Sequence, residues 1–217
     1  NKKLDIAVIS YPHMSNYNDL EPLIADEEVF VEFVSSNISL EKFDLVILPG
    51  SKLVIKDLLW LKETGLFEQI QNYKKDICAI CGGYEMMFNF LDDKYALENE
   101  QAVKEQGFGL IDDIVVFEKE KILEKKTYDL FEEKIEGFEI HHGMCEQYPL
   151  SFEKENFKGT FVHQIFDNNE FRTKYFKSIK NEYMGFDFQE YKKQTIDSFI
   201  STLKAKLDVN HILKSIT

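Results

Sequence analysis

Several features that direct a protein to membranes, nucleic acids or disulfide scaffolds are missing from this sequence. No apolar run reaches the ~18 residues of a membrane-spanning helix, and we expect no secretory leader. The formal net charge of −13 disfavours nucleic acid and anionic membranes as partners. The cysteines, Cys78, Cys81 and Cys145, are an odd set without disulfide spacing, which predicts a reducing, cytoplasmic location.

The sequence also lacks the glycine-rich signatures of nucleotide binding, because neither GxxxxGK[ST] nor GxGxxG occurs in it. Any step that needs ATP would therefore take it from another domain or chain. Cys78 and Cys81 form a CxxC pair, but there is no second such pair to complete a zinc site, and Cys78 lies inside an apolar run. We therefore expect neither a metal nor a cofactor on this chain.

What the sequence does contain is an alternation of apolar, β-branched segments with helical ones. Strands are predicted at 4–10, 29–34, 44–48 and 77–80, and helical segments at 54–63, 66–75 and 84–90. This pattern predicts an α/β fold with a doubly wound, mostly parallel sheet and flanking helices. We expect one domain over 1–217, with a C-terminal helical tail (about 190–217) whose apolar stripe packs on the body.

Residues 77–87 carry the strongest functional signal. An apolar strand ends at Cys81, Gly82 and Gly83 follow, and a helix-forming run begins. This is the pattern of a nucleophile elbow, a strand-to-helix turn that presents a reactive side chain above a sheet. A helix N-terminus stabilises a thiolate, so we expect Cys81 to titrate below a free cysteine.

A cysteine nucleophile needs a base and an oxyanion hole, and the sequence offers candidates for both. His163 closes a strand-like segment at 159–163, which makes it the candidate base, although a histidine there can equally be structural. The turn at Pro49-Gly50-Ser51 ends another strand, so the N–H groups of Ser51 and Gly82 could form the oxyanion hole. Taken by itself, this turn indicates only the end of a strand and no catalytic role.

Two adjacent histidines, His141 and His142, follow Glu139 in a third strand-like segment. Neighbouring residues of a strand face opposite sides, so at most one of the two is expected to point at the site. His141 or Glu139 could line the pocket, and a purely structural role is the alternative.

Together these segments resemble the class I (triad-type) glutamine amidotransferases, whose fold is flavodoxin-like. Within that class they are most similar to the glutaminase domain at the C-terminus of cobyric acid synthases. The matching segments are 15–23 (a Ser-Asn and Asp-x-x-Pro-Leu signature), 45–52, 80–84, 107–110, 137–143 and 159–163.

The resemblance implies a glutaminase in which Cys81 attacks the side-chain amide of glutamine and His163 is the general base. Gly50, Glu85 and His141 are the positions implied to contact the substrate. Ammonia would pass to an ATP- and Mg²⁺-dependent synthetase domain, which precedes the glutaminase in that family, is absent from this sequence and amidates adenosylcobyrinic acid a,c-diamide.

Two positions depart from the broader class. Many members carry Glu two residues after the histidine, where this chain has Ile165, and the cobyric acid synthase group also lacks that Glu. The residue that orients His163 is therefore open between Glu139 and Asp167. Glu85 stands where the family usually has Gln, and a carboxylate so near Cys81 opposes thiolate formation. Two alternatives remain: a stand-alone glutaminase subunit for a Mur-ligase-like partner, and a non-catalytic docking domain, which Glu85 favours.

Overall fold

A computed structural model describes residues 4–207, with twelve strands and six α-helices in that range. The strands are β1 (Leu4–Ile9), β2 (Met14–Ser15), β3 (Val29–Val34), β4 (Leu45–Leu48), β5 (Gly50–Ser51), β6 (Asp76–Ile80), β7 (Phe88–Asp93), β8 (Val103–Gln106), β9 (Ile111–Leu130), β10 (Glu133–Met144), β11 (Ser151–Lys154) and β12 (Phe157–Thr160). The helices are α1 (Glu21–Ala25), α2 (Val54–Thr64), α3 (Leu66–Asn72), α4 (Gly82–Glu85), α5 (Asn169–Ile179) and α6 (Phe188–Lys206). No helix in the described range is long and apolar enough to cross a bilayer.

A six-stranded sheet in the order β11-β12-β6-β4-β1-β3 forms the centre of the protein. All its neighbouring strands are parallel except β11 and β12. All four residues of β4 are fully buried, as expected for a parallel strand covered on both faces. The predicted α/β fold with a mostly parallel sheet is thus confirmed, and the four predicted strands are each within one residue of their observed bounds.

The order of the central sheet brings the polar segments to one edge. The chain places β3 on one side of β1 and β4 on the other, so the strand order reverses at β1, and ligands of such sheets bind beyond the carboxyl ends at this point. The segments that follow β1, β4, β6 and β12 carry residues 10–20, 49–51, Cys81 and His163. These segments therefore meet in space although they are distant in sequence.

A second sheet, in the order β10-β9-β7-β8, corrects one sequence expectation. The run 84–90 was predicted as a helix, but α4 is a single turn and Phe88 starts β7. Strand β7 pairs with β8 on one side and with β9 on the other, and these backbone hydrogen bonds outweigh the local helical tendency. Strands β9 and β10 continue as a long antiparallel ribbon that includes the charged run 119–126.

The C-terminal helix corrects another expectation. Helix α6 covers the tail region through Lys206, whereas the predicted part at 208–217 lies outside the described residues. The apolar stripe was expected to pack on the body, yet Phe188 is the buried residue of this helix and the stripe faces solvent in the described structure. The exposed apolar side chains are Ile196, Phe199, Ile200, Leu203 and Leu207.

Candidate active site

Cys81 occupies a strained turn between β6 and α4. Its backbone angles, φ 49° and ψ −111°, are unusual for a residue with a side chain. The turn is held by hydrogen bonds from Cys81 N–H to the Thr160 carbonyl, at 2.8 Å, and from Glu85 N–H to the Cys81 carbonyl, at 2.9 Å. The local geometry is that of the predicted nucleophile elbow.

The electrostatic environment of the sulfur differs from the expectation of a depressed pKa. Burial raises the pKa of Cys81 well above its ordinary value, and the nearby carboxylates of Glu85 and Asp19 add to the rise. A hydrogen bond from Gly82 and the charge of Lys121 oppose it. Helix α4 is one turn long, so its N-terminal dipole is too small to offset the burial. The resting sulfur is therefore held as a thiol.

His163 is fully buried, and its imidazole contacts a carboxylate that sequence reasoning did not assign. Nδ1 of His163 lies 2.7 Å from Oδ2 of Asp19, and the other oxygen of Asp19 accepts the Gln164 N–H at 2.7 Å. Asp19 is also fully buried and sits in a 3₁₀ turn (Tyr17–Leu20) just before α1. A carboxylate on Nδ1 fixes the tautomer with its lone pair on Nε2, which is the form that a general base requires.

Asp19 therefore takes the place for which Glu139 and Asp167 were considered. Glu139 instead contacts Nε2 of His141 at 3.2 Å, and Asp167 accepts from Lys192 at 3.0 Å. Glu139 lies one residue from the bridge that joins Phe138 to His163, and side chains of adjacent strand residues point to opposite faces. His163 itself lies three residues beyond β12 rather than at its end.

The Pro49-Gly50-Ser51 turn lies against the elbow. In the ladder between β2 and β5, Lys52 N–H bonds to the His13 carbonyl, so the adjacent pair of Met14 and Ser51 is a non-hydrogen-bonded pair. The N–H of Ser51 thus points away from β2. A Cβ added at Gly82 would lie 2.7 Å from this nitrogen, which places Ser51 N–H next to the backbone of Gly82.

Asp57 stabilises the Pro49-Gly50-Ser51 turn through both of its carboxylate oxygens. Its Oδ2 accepts from the Ser51 hydroxyl at 2.5 Å, and its Oδ1 accepts the His13 N–H at 3.1 Å. The Tyr11 hydroxyl donates to the Pro49 carbonyl in the same turn. Gly50 packs on the base, since a Cβ there would lie 3.2 Å from Cε1 of His163. Fixed donors of this kind are what an oxyanion hole needs.

A cavity of about 300 Å³ opens at Cys81. Glu85 and Glu98 supply its acidic part, and Lys52 and Lys121 supply cations. Burial raises the pKa of Glu85 well above its ordinary value, and the neighbouring Glu98 adds to the rise, while burial also raises the pKa of Glu98 to about 7. Within residues 4–207, no group of three or more His, Cys, Asp or Glu side chains is arranged to hold a metal ion.

Both adjacent histidines line this cavity, contrary to the expectation that at most one would. The register of β10 against β9 shifts between His141 and Gly143, and such a bulge interrupts the alternation of faces. His141 stacks on Phe161 with ring centroids 4.0 Å apart, and its Nδ1 lies 2.7 Å from the Gly143 carbonyl. Glu139 contacts the other ring nitrogen of His141. The imidazole of His141 is therefore held at both nitrogens and forms a fixed wall of the cavity.

Comparison with known proteins agrees with this geometry. Residues 5–171 match the CobB/CobQ-like glutamine amidotransferase domain family. The chain belongs to this family. It is 57% identical to cobyric acid synthase of Acinetobacter baylyi, over 99% of this chain and 46% of that protein. It is 34% identical to cobyric acid synthase of Clostridium tetani, over 100% of this chain and 50% of that protein.

The chain thus spans about half the length of the curated relatives it matches. A solved glutamine amidotransferase superposes with a TM-score of 0.57 at 12% identity, covering 80% of this chain and 97% of the other. At that identity the likeness supports the fold, and the glutamine amidotransferase class rests on the family match.

Sequence reasoning missed three residues of this candidate active site, namely Asp19, Asn16 and Asp57. Asn16 and Asp19 lie in the segment 15–23 that resembles the family, and Asp57 lies just after the segment 45–52, but no role was given to any of them. The signal that could have found Asp19 is an acidic residue in the segment that follows the first strand, at the same edge of the sheet as His163.

Proposed function

We propose that this chain is the glutaminase part of a cobyric acid synthase, and that it forms a glutamyl thioester on Cys81. The observation that carries the proposal is the arrangement of the elbow cysteine with the His163–Asp19 pair at one edge of the sheet. The identity to two cobyric acid synthases supports this branch over a glutaminase that serves a Mur-ligase-like partner.

In the proposed reaction, Nε2 of His163 takes the thiol proton of Cys81, and the sulfur attacks the side-chain carbonyl carbon of glutamine. The N–H groups of Ser51 and Gly82 donate hydrogen bonds to the carbonyl oxygen and stabilise the negative charge that develops on it. His163 then gives its proton to the leaving nitrogen, so ammonia departs and a thioester remains. Water activated by the same imidazole hydrolyses the thioester to glutamate and restores the thiol.

Glu85 and the fixed wall at His141 are proposed to contact the glutamine, with Gly50 supporting the base. The ammonia would pass to an ATP- and Mg²⁺-binding synthetase part outside this chain, which would amidate adenosylcobyrinic acid a,c-diamide. The free cysteines favour a cytoplasmic site for these steps, which stays a prediction.

The test is labelling with 6-diazo-5-oxo-norleucine, a glutamine analogue that alkylates the nucleophile, followed by peptide mass spectrometry. We expect one adduct on Cys81 that excess glutamine blocks and that Cys81→Ala abolishes. Cys78 and Cys145 are internal controls, because both are free thiols and neither is among the residues that line the cavity at Cys81.

Absence of an adduct on this chain and again after the synthetase part is restored would refute the glutaminase proposal. The docking-domain alternative would then take its place. Glu85 is the specific observation behind that alternative, since its carboxylate raises the pKa of the sulfur.

A further inference from the structure

Both ring nitrogens of His163 are held by the same short turn. Asp19 contacts Nδ1, and the side-chain nitrogen of Asn16 lies 3.0 Å from Nε2. Asn16 caps the 3₁₀ turn that carries Asp19 and has the left-handed backbone angles φ 54° and ψ 51°. Left-handed geometry is uncommon for a residue with a side chain, although Asn tolerates it better than most.

The chemistry of the two contacts fixes their direction. A carboxylate can only accept, so Nδ1 of His163 carries the proton and Nε2 of the neutral ring has the lone pair. The amide N–H of Asn16 therefore donates to Nε2. This lone pair is the one that has to take the proton of Cys81, and in this structure it already accepts from Asn16.

The position of Asn16 also shields Nε2 of His163 from the cavity. Asn16 lines the cavity beside Cys81, whereas His163 is fully buried and is not among the cavity-lining residues. The sulfur of Cys81 is directed to the Ile140 carbonyl, at 3.8 Å. The nucleophile and the base thus each contact another partner in this structure.

We propose that Asn16 is a positioning residue that holds Nε2 of His163 until glutamine binds. The proposal rests on the glutaminase function, and it names the primary carboxamide of glutamine as the group that draws the Asn16 amide away. The substrate offers an acceptor oxygen and an N–H₂ group, so it can satisfy the Asn16 side chain in place of the imidazole. Nε2 is then free to accept the thiol proton, which ties thiolate formation to glutamine binding.

The test compares Asn16→Gly with Asn18→Gly. Glycine suits the left-handed backbone of position 16 and removes the amide, and the control places the same residue in the same turn. The rate of Cys81 alkylation by iodoacetamide is measured without glutamine from neutral to alkaline pH. Glu85, Asp19, Lys121 and Tyr11 carry the other ionisable groups coupled to this sulfur, and all are unchanged in both variants.

We expect Asn16→Gly to raise the alkylation rate at neutral pH about fivefold, the effect of removing one competing hydrogen bond, and to move the profile to lower pH. Asn18→Gly should leave it unchanged. In a His163→Asn background Asn16→Gly should give no rise, because the effect acts through the imidazole. An unchanged rate, or the same rise in that background, would overturn the proposal.

A separate measurement tests whether glutamine releases Asn16 from His163. In glutamine hydrolysis, Asn16→Gly should raise KM severalfold without lowering kcat, since the bound carboxamide loses a partner while the base is no longer restrained. An unchanged KM would overturn the release step. Failure of the glutaminase proposal would look different. The wild type would then not be labelled by the diazo analogue, while the iodoacetamide profiles of the wild type and Asn16→Gly would still differ.

Discussion

Asp19→Asn tests the assignment of the buried carboxylate most sharply, because the substitution keeps the shape and removes the charge. In the wild type, Oδ2 of Asp19 faces Nδ1 of His163 and Oδ1 accepts the N–H of Gln164, both at 2.7 Å. A backbone N–H can only donate, so the single oxygen of the new amide must face Gln164. Its NH₂ group then faces Nδ1 and forces that nitrogen to accept.

The consequence is a change of tautomer. With Nδ1 as acceptor, the proton of the neutral imidazole moves to Nε2, and His163 can no longer take the proton of Cys81. The same change in another catalytic triad lowers kcat about 10⁴-fold, so we expect a loss of about 10³–10⁴-fold here. This corresponds to ~4–5.5 kcal/mol of activation free energy.

The assay is glutamate release coupled to glutamate dehydrogenase, with thermal unfolding measured on the same samples. Both hydrogen bonds survive the reorientation, so the free energy of unfolding should fall by no more than about 1–2 kcal/mol. The matched control is Asp26→Asn, another buried carboxylate, which accepts from the Tyr183 hydroxyl at 2.5 Å and from Glu28 N–H at 2.9 Å.

Asp26→Asn should cost stability and leave the rate unchanged. A loss of less than tenfold in Asp19→Asn, with unfolding as expected, would refute the reasoning and reduce Asp19 to a structural role. A ¹⁵N spectrum of the His163 ring would show the tautomer directly.

Three further changes probe the rest of the site. Gly82→Ala should lower kcat at least about 10²-fold, because its Cβ would lie 2.7 Å from Ser51 N and 2.9 Å from Ser51 Cβ and so fill the space between the two N–H donors. The same clash with the backbone should also lower the free energy of unfolding, so kcat is compared on the folded variant; near-normal glutamate release would exclude this hole. Glu85→Gln should lower the pKa of Cys81, because the Glu85 carboxylate is the second cause of its rise after burial. Alkylation of Cys81 by iodoacetamide should then shift to lower pH. An unshifted profile would show that Glu85 is already neutral in the pH range of the assay. The pKa of Glu98 is raised from 4.5 to about 7 by burial, so the folded state binds this proton more tightly than the unfolded chain. The free energy of unfolding should therefore fall as pH rises through that interval, and Glu98→Gln should flatten this part of the curve of melting temperature against pH; an unchanged slope would assign it to other groups.

Sequence reasoning reached furthest where structure is set by neighbours along the chain. Strands β1, β3, β4 and β6 follow from short apolar, β-branched runs, and the elbow at Cys81 follows from an apolar run that ends at two glycines. These patterns act over a few residues. It failed at α4 and β7, where pairing with two strands from elsewhere in the chain decided the outcome. It also failed for the stripe of α6, since periodicity gives a face but not what covers it.

The sequence by itself determined the chemistry available: a cysteine on an elbow, a turn whose N–H groups are candidate donors, and a histidine near a strand-like segment. Only the tertiary structure decided which groups work together. Asp19 and His163 are 144 residues apart, and they meet because β1 and β12 end at the same edge of one sheet. The raised pKa of Cys81 and the contact of Asn16 with Nε2 have the same origin, since burial and the distance between two side chains are properties of the packed chain.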